Sequence, residues 1–86
     1  MNAQEKAKAG VWLLKQAVVD YLRTRPEGAS ASEIREQLGI DDADAEGEHK
    51  GYLLWGLQHL LAKDGVVKTN KDVRPQRMML LETRAT

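Results

Sequence analysis

The sequence predicts a mainly α chain with a small antiparallel β-hairpin, three helices standing ahead of two strands. Three observations carry that expectation. Leucines at 53, 54, 57, 60 and 61 recur at the spacing that stacks side chains on one side of a helix. Ser30, followed three residues later by Glu33, marks a helix start, because each side chain can accept a hydrogen bond from the other's backbone N–H. Two runs rich in Val, Thr, Met and Leu, ending near residues 70 and 82, flank a segment that contains Pro75, which lacks the N–H a central strand needs.

Residues 1–25 form the first element, helical from about Ala3 to Arg25. Ala7, Val11, Leu14, Val18 and Tyr21 make one stripe at alternating four- and three-residue steps, and Leu22 widens it. Trp12 and Val19 lie seven apart on a neighbouring stripe. A helix this long extends past the core of so short a chain, so its first turns have little of their own domain to pack on. The expectation is a homodimer through this helix, with Trp12 and Val19 in the interface. The alternative cover for Trp12 is the carboxy-terminal strands of the same chain. Pro26 and Gly28 end the helix.

The second helix spans residues 30–38, with Ile34 and Leu38 directed to the core and Gly39 closing it. Residues 41–48, DDADAEGE, place five carboxylates in eight positions. Such a stretch has no apolar surface to bury, so 41–49 reads as an acidic insertion, a solvated loop or a polar extra turn. Residues 50–64 form the third helix. Tyr52, Trp55 and His59 fall opposite its leucines, with Gln58 and Lys63 flanking. Trp55 reads either as exposed there or as buried beneath the hairpin. Gly65 supplies the left-handed residue that ends helices. Residues 66–82 form the hairpin, with Lys68, Lys71, Arg74 and Arg77 around its tip.

Composition narrows the class. Eighty-six residues are expected to make a single domain, and a chain of that size buries only about 60–68% of the surface its unfolded form exposes, which favours help from a second copy. There is no cysteine, which removes disulfides and thiolate metal sites. The first ten residues mix charges of both signs and lead into no long apolar run, so the chain is expected to be cytoplasmic and not membrane-bound. Net charge is zero but unevenly spread: residues 1–25 carry +3, 26–49 carry −7 and 50–86 carry +4. The carboxy-terminal block therefore keeps a local basic excess suited to phosphates.

SASEIREQLGI, GYLLWGLQHLLAKDG and VVKTNKDVRPQRMMLL, in that order behind a long first helix, resemble the supporting helix, recognition helix and wing of the winged helix-turn-helix superfamily of DNA-binding domains. The resemblance covers nearly the whole chain. One departure is the acidic connection from Gly39 to Lys50, much longer than the usual three or four residues or so. The resemblance implies a small dimeric transcriptional regulator of double-stranded DNA. Lys50, Tyr52, Gln58 and His59 would face bases and phosphates from the third helix, and Lys68, Lys71, Arg74 and Arg77 would hold phosphates from the wing.

Sharper chemistries fail on inspection. Asp42, Asp44, Glu46 and Gly47 match the opening of a calcium loop, but its twelfth position is Leu53, where a bidentate Glu is required. His49 and His59 have no third nitrogen ligand for zinc. Ser30 and Ser32 are absorbed in the helix cap. No glycine-rich phosphate loop is present. Neither catalysis nor a cofactor or metal is expected. The rival reading is a winged helix used for protein contacts, with the acidic insertion and the aromatics Tyr52, Trp55 and Trp12 as an adhesive surface.

Overall fold

A computed structural model describes residues 1–40 and 52–81. The acidic insertion 41–49 and Lys50 lie outside the described residues. Among those described, the chain is mainly helical with a small three-stranded antiparallel sheet. Its elements are α1 (Ala3–Arg23), β1 (Ala29–Ser30), α2 (Ala31–Leu38), α3 (Tyr52–Lys63), β2 (Val67–Asn70) and β3 (Arg77–Leu80).

Local chemistry sets the helix ends. Asn2 caps α1, its side chain accepting from the Glu5 N–H at 2.8 Å while Glu5 accepts from the Asn2 N–H at 3.0 Å. This reciprocal box went unread in the sequence. At the other end α1 stops at Arg23, two residues short of expectation, because Pro26 disfavours helical backbone at the residue before it. The Ser30–Glu33 box forms as expected, and Gly39 takes the left-handed conformation that ends α2. Gly65, at φ 75°, does the same after α3.

Helix α1 packs against α2, α3 and β3. The core is Val18, Val19 and Leu22 from α1, Ala29 from β1, Ile34 from α2, Leu54, Leu57 and Leu61 from α3, and Val67 and Met78 from the sheet. Two features differ from the expected stripes. Val19, placed by its seven-residue spacing from Trp12 outside the core, is only 8% exposed and packs within its own chain, whereas Ala7 and Val11 are exposed. The buried arc of α1 is centred between Val18, Val19 and Leu22, and the helix outruns the core toward its amino terminus. On α3, Leu53 and Leu60 are 44% and 42% exposed, since they sit roughly a quarter turn from the Leu54–Leu57–Leu61 row. That flank faces α1, and the Lys15 ammonium reaches Asp64 across it at 3.1 Å.

The sheet has the order β1-β3-β2. Strands β2 and β3 are the expected hairpin, with Thr69 opposite Met78 and Val67 opposite Leu80, and the Leu81 N–H donates to the Val66 carbonyl at 2.9 Å to close its base. Strand β1 was not expected: Ala29 pairs with Met78 and Ser30 with Arg77, so the segment leading into α2 adds a third strand. Gly28 makes the approach possible. Its φ is 84°, and a Cβ there would lie 2.7 Å from Met79 Cγ and 2.8 Å from the Met78 carbonyl oxygen.

Two stability predictions follow from this packing. Gly28→Ala should destabilise by more than about 1 kcal/mol, since both backbone angle and space oppose the methyl, and Gly39→Ala, where a Cβ meets open space, should cost less. Leu57→Ala should cost about 2–5 kcal/mol in chemical denaturation; a loss below about 1 kcal/mol would contradict the register of α3 given above.

Candidate functional site

The outward face of α3 and the β2–β3 hairpin are linked by the hydrogen bond from Gln58 to Thr69. The inward row of leucines fixes the rotation of α3, which leaves Tyr52, Trp55 and His59 outside, as expected from the spacing. Tyr52 is 58% and Trp55 64% exposed, so of the two readings of Trp55 the exposed one holds. The His59 ring meets Trp55 edge-on, with centroids 4.3 Å apart. Beside them an open cleft of about 740 Å³ runs between α2 and α3, lined by Ala31, Arg35, Tyr52, Trp55, Gly56 and Gln58, with Leu54 beneath.

The loop begins at Asn70, whose side chain accepts from the Asp72 N–H at 2.9 Å, an arrangement that turns the chain away from β2. The Arg74–Pro75 peptide bond is cis. Lys68, Lys71 and Arg74 are exposed, and among the described residues none has a carboxylate partner. Between the start of β2 and the end of β3, Val67 to Leu80, the one carboxylate is Asp72.

Two residues expected to face a nucleic acid are engaged within the fold. Gln58 donates its amide N–H to the Thr69 hydroxyl, tying α3 to β2. Arg77 turns back from the hairpin. Its Nε donates to the Glu27 carbonyl at 3.3 Å, one terminal nitrogen donates to the Gly28 carbonyl at 3.0 Å, and the same nitrogen stands 3.5 Å from the Glu33 carboxylate. It is a strut between β3, the turn before β1 and the cap of α2. Sequence spacing could not separate Arg77 from Arg74, because the difference lies in carbonyls some fifty residues away in the chain. Lys50 lies outside the described residues.

The other expected contact surface is on α1. Trp12 is 58% exposed, with Val11 and Leu13 also open, and Ala7, Lys8, Val11, Trp12 and Lys15 line a shallow concavity. Val19 takes no part in it. Among the described residues there is no group of three or more potential metal ligands and no helix long and apolar enough to cross a membrane.

Arg77→Ala should lower stability by about 1–3 kcal/mol through its lost charged hydrogen bonds, while Arg74→Ala should leave stability within about 0.5 kcal/mol of wild type; equal effects in urea unfolding would contradict the strut. The Glu33 carboxyl gives a pH test. The Ser30 backbone N–H holds it below the usual 4.5, followed by the Ser30 hydroxyl and then the fields of Arg77 and Arg25, with partial burial acting the other way. Because the folded value is the depressed one, this contribution is fully present above the unfolded carboxyl range and is lost as pH falls through the folded value. Glu33→Gln should therefore be less stable than wild type at neutral pH, with the gap closing as urea midpoints are followed down to about pH 3; a gap that stays constant would contradict it.

No protein family, curated protein or solved structure matches this chain, so the reading of its surface rests on its own residues.

Proposed function

We propose that this chain is a winged helix-turn-helix protein that binds DNA, with α3 as its recognition element and the β2–β3 hairpin as its wing, acting in transcriptional control. The observation that carries the reading is the set of exposed cations Lys68, Lys71 and Arg74, without carboxylate partners among the described residues, in a hairpin joined to the open face of α3 by the Gln58–Thr69 hydrogen bond. Exposed cations without carboxylate partners among the described residues, one on β2 and two on the loop that follows it, suit the regularly spaced charges of a phosphate backbone, where each contact releases counterions. The order of a long helix, a short capped helix, a longer helix and a hairpin supports the winged-helix assignment. The chemistry is binding, with no catalytic step and no cofactor.

A second copy fits the outer face of α1. Trp12, Val11 and Leu13 leave an apolar patch there, and a dimer would present two wings together, as a two-fold DNA site requires. Trp12→Ala should shift a sedimentation profile toward monomer; an unchanged profile would remove the dimer from the proposal.

Binding of a labelled duplex, followed by anisotropy across a salt series, tests the function. Lys71→Ala and Arg74→Ala should each weaken binding to every duplex similarly and lower the slope of log affinity against log salt by about one unit. Arg77→Ala, once corrected for unfolded protein, should leave the slope unchanged. Absence of duplex binding even at low salt would overturn the proposal in favour of a protein-contact module.

A further inference from the structure

We propose that the cleft between α2 and α3 takes unpaired bases, a single-stranded stretch or frayed end stacking on Trp55 and Tyr52 while the wing holds its phosphates. This rests on the DNA-binding reading and narrows its substrate to nucleic acid that is not fully paired.

Reading paired bases in a groove requires side chains that match base edges, chiefly Arg, Lys, Asn or Gln with donors and acceptors turned outward. The described part of α3 offers little of this. Gln58, its one amide side chain, already donates to Thr69. His59 lies with its ring edge-on to Trp55. Lys63 stands in the last turn, away from the helix start where groove readers are concentrated. The most exposed large groups are two aromatic rings, and an indole has one donor and no acceptor. Such a surface offers aromatic rings rather than matched donors and acceptors. Bases offer their faces to a protein only when they leave the duplex stack, and stacking then works for every base.

The cleft has the form this requires. Its volume, about 740 Å³, lies within the range of sites for small ligands. Gly56 leaves the helix backbone bare at the cleft, and a Cβ there would meet nothing within 4 Å. Glycine inside a helix costs roughly 0.5–1 kcal/mol against alanine, and no packing contact among the described residues requires it. Charge adds to the fit: the Gln58–Thr69 bond connects the cleft wall to the strand that runs into Lys71 and Arg74. Aromatic faces beside cations complement a polyanion with exposed bases.

The test uses the full chain carrying Trp12→Phe, so that Trp55 is the one remaining tryptophan. Two probes are titrated, a blunt-ended DNA hairpin and the same hairpin with an unpaired oligothymidine overhang. The overhang should bind about tenfold or more tighter than the blunt form and quench Trp55 fluorescence. Trp55→Ala should erase that advantage by anisotropy, Trp55→Phe should retain most of it, and Gly56→Leu, which fills the cleft, should erase it with thermal melting unchanged or improved. Equal affinity for both probes with unchanged Trp55 fluorescence would overturn base stacking while leaving DNA binding in place. Binding of neither probe at low salt would overturn both readings. Displacement of the overhang by an apolar peptide that quenches Trp55 more strongly would assign the cleft to a protein segment instead.

Discussion

The burial of one row of α3, Leu54, Leu57 and Leu61, is the constraint on which the rest of the structure depends. These side chains pack with Val18, Val19 and Leu22 of α1, Ile34 of α2, and Val67 and Met78 of the sheet, which together form a single cluster. A chain of this size has one apolar interior to share among all its elements. Once the row is seated, the rotation of α3 is fixed, and Tyr52, Trp55 and His59 have to point outward. The exposed aromatics are therefore a consequence of where the leucines go, with Tyr52 58% and Trp55 64% exposed.

The charged and amide side chains divide into those that hold the fold and those that stand exposed without a carboxylate partner among the described residues. Arg77 and Arg74 stand three apart in the same hairpin, yet Arg77 is committed to Glu27, Gly28 and Glu33, whereas Arg74 is exposed at the tip. Gln58 likewise serves to join helix and strand. Using these groups internally stiffens the junction of β1, α2 and β3, so the hairpin leaves the body from an anchored base. Lys68 on β2, and Lys71 and Arg74 on the loop after it, then stand in a hairpin tied to α3 by the Gln58–Thr69 bond. The proposed phosphate contacts rest on this arrangement.

Features governed by near neighbours were legible in the sequence. The Ser30–Glu33 box, the glycines at 39 and 65 and the hairpin around Pro75 each depend on a few adjacent residues, and each stands as expected. What spacing could not supply was the direction of burial to within a quarter turn. Val19 is inside because α2, α3 and β3 surround the carboxy-terminal half of α1, while Val11, on the expected stripe, lies where α1 has outrun them. Leu53 and Leu60 are half-open because they sit about a quarter turn from the buried row of α3. Strand β1 escaped notice because two residues carry no period; it exists through pairing with β3 and the space left by Gly28. Of the expected contact residues, Tyr52, His59, Lys68, Lys71 and Arg74 are exposed, whereas Gln58 and Arg77 are half-buried and bonded to partners distant in sequence, which spacing cannot show.

The central claim is that the open face of α3 and the wing act as one nucleic-acid-binding surface. The most direct measurement is a map of backbone amide shifts in the isotope-labelled chain as a short DNA with an unpaired end is added. Perturbations should cluster at 52–59 and 68–74, with Arg35 beside them, and leave the amino-terminal turns of α1 unchanged. Shifts confined to the Val11–Leu13 face of α1, or none at all at low salt, would contradict the account.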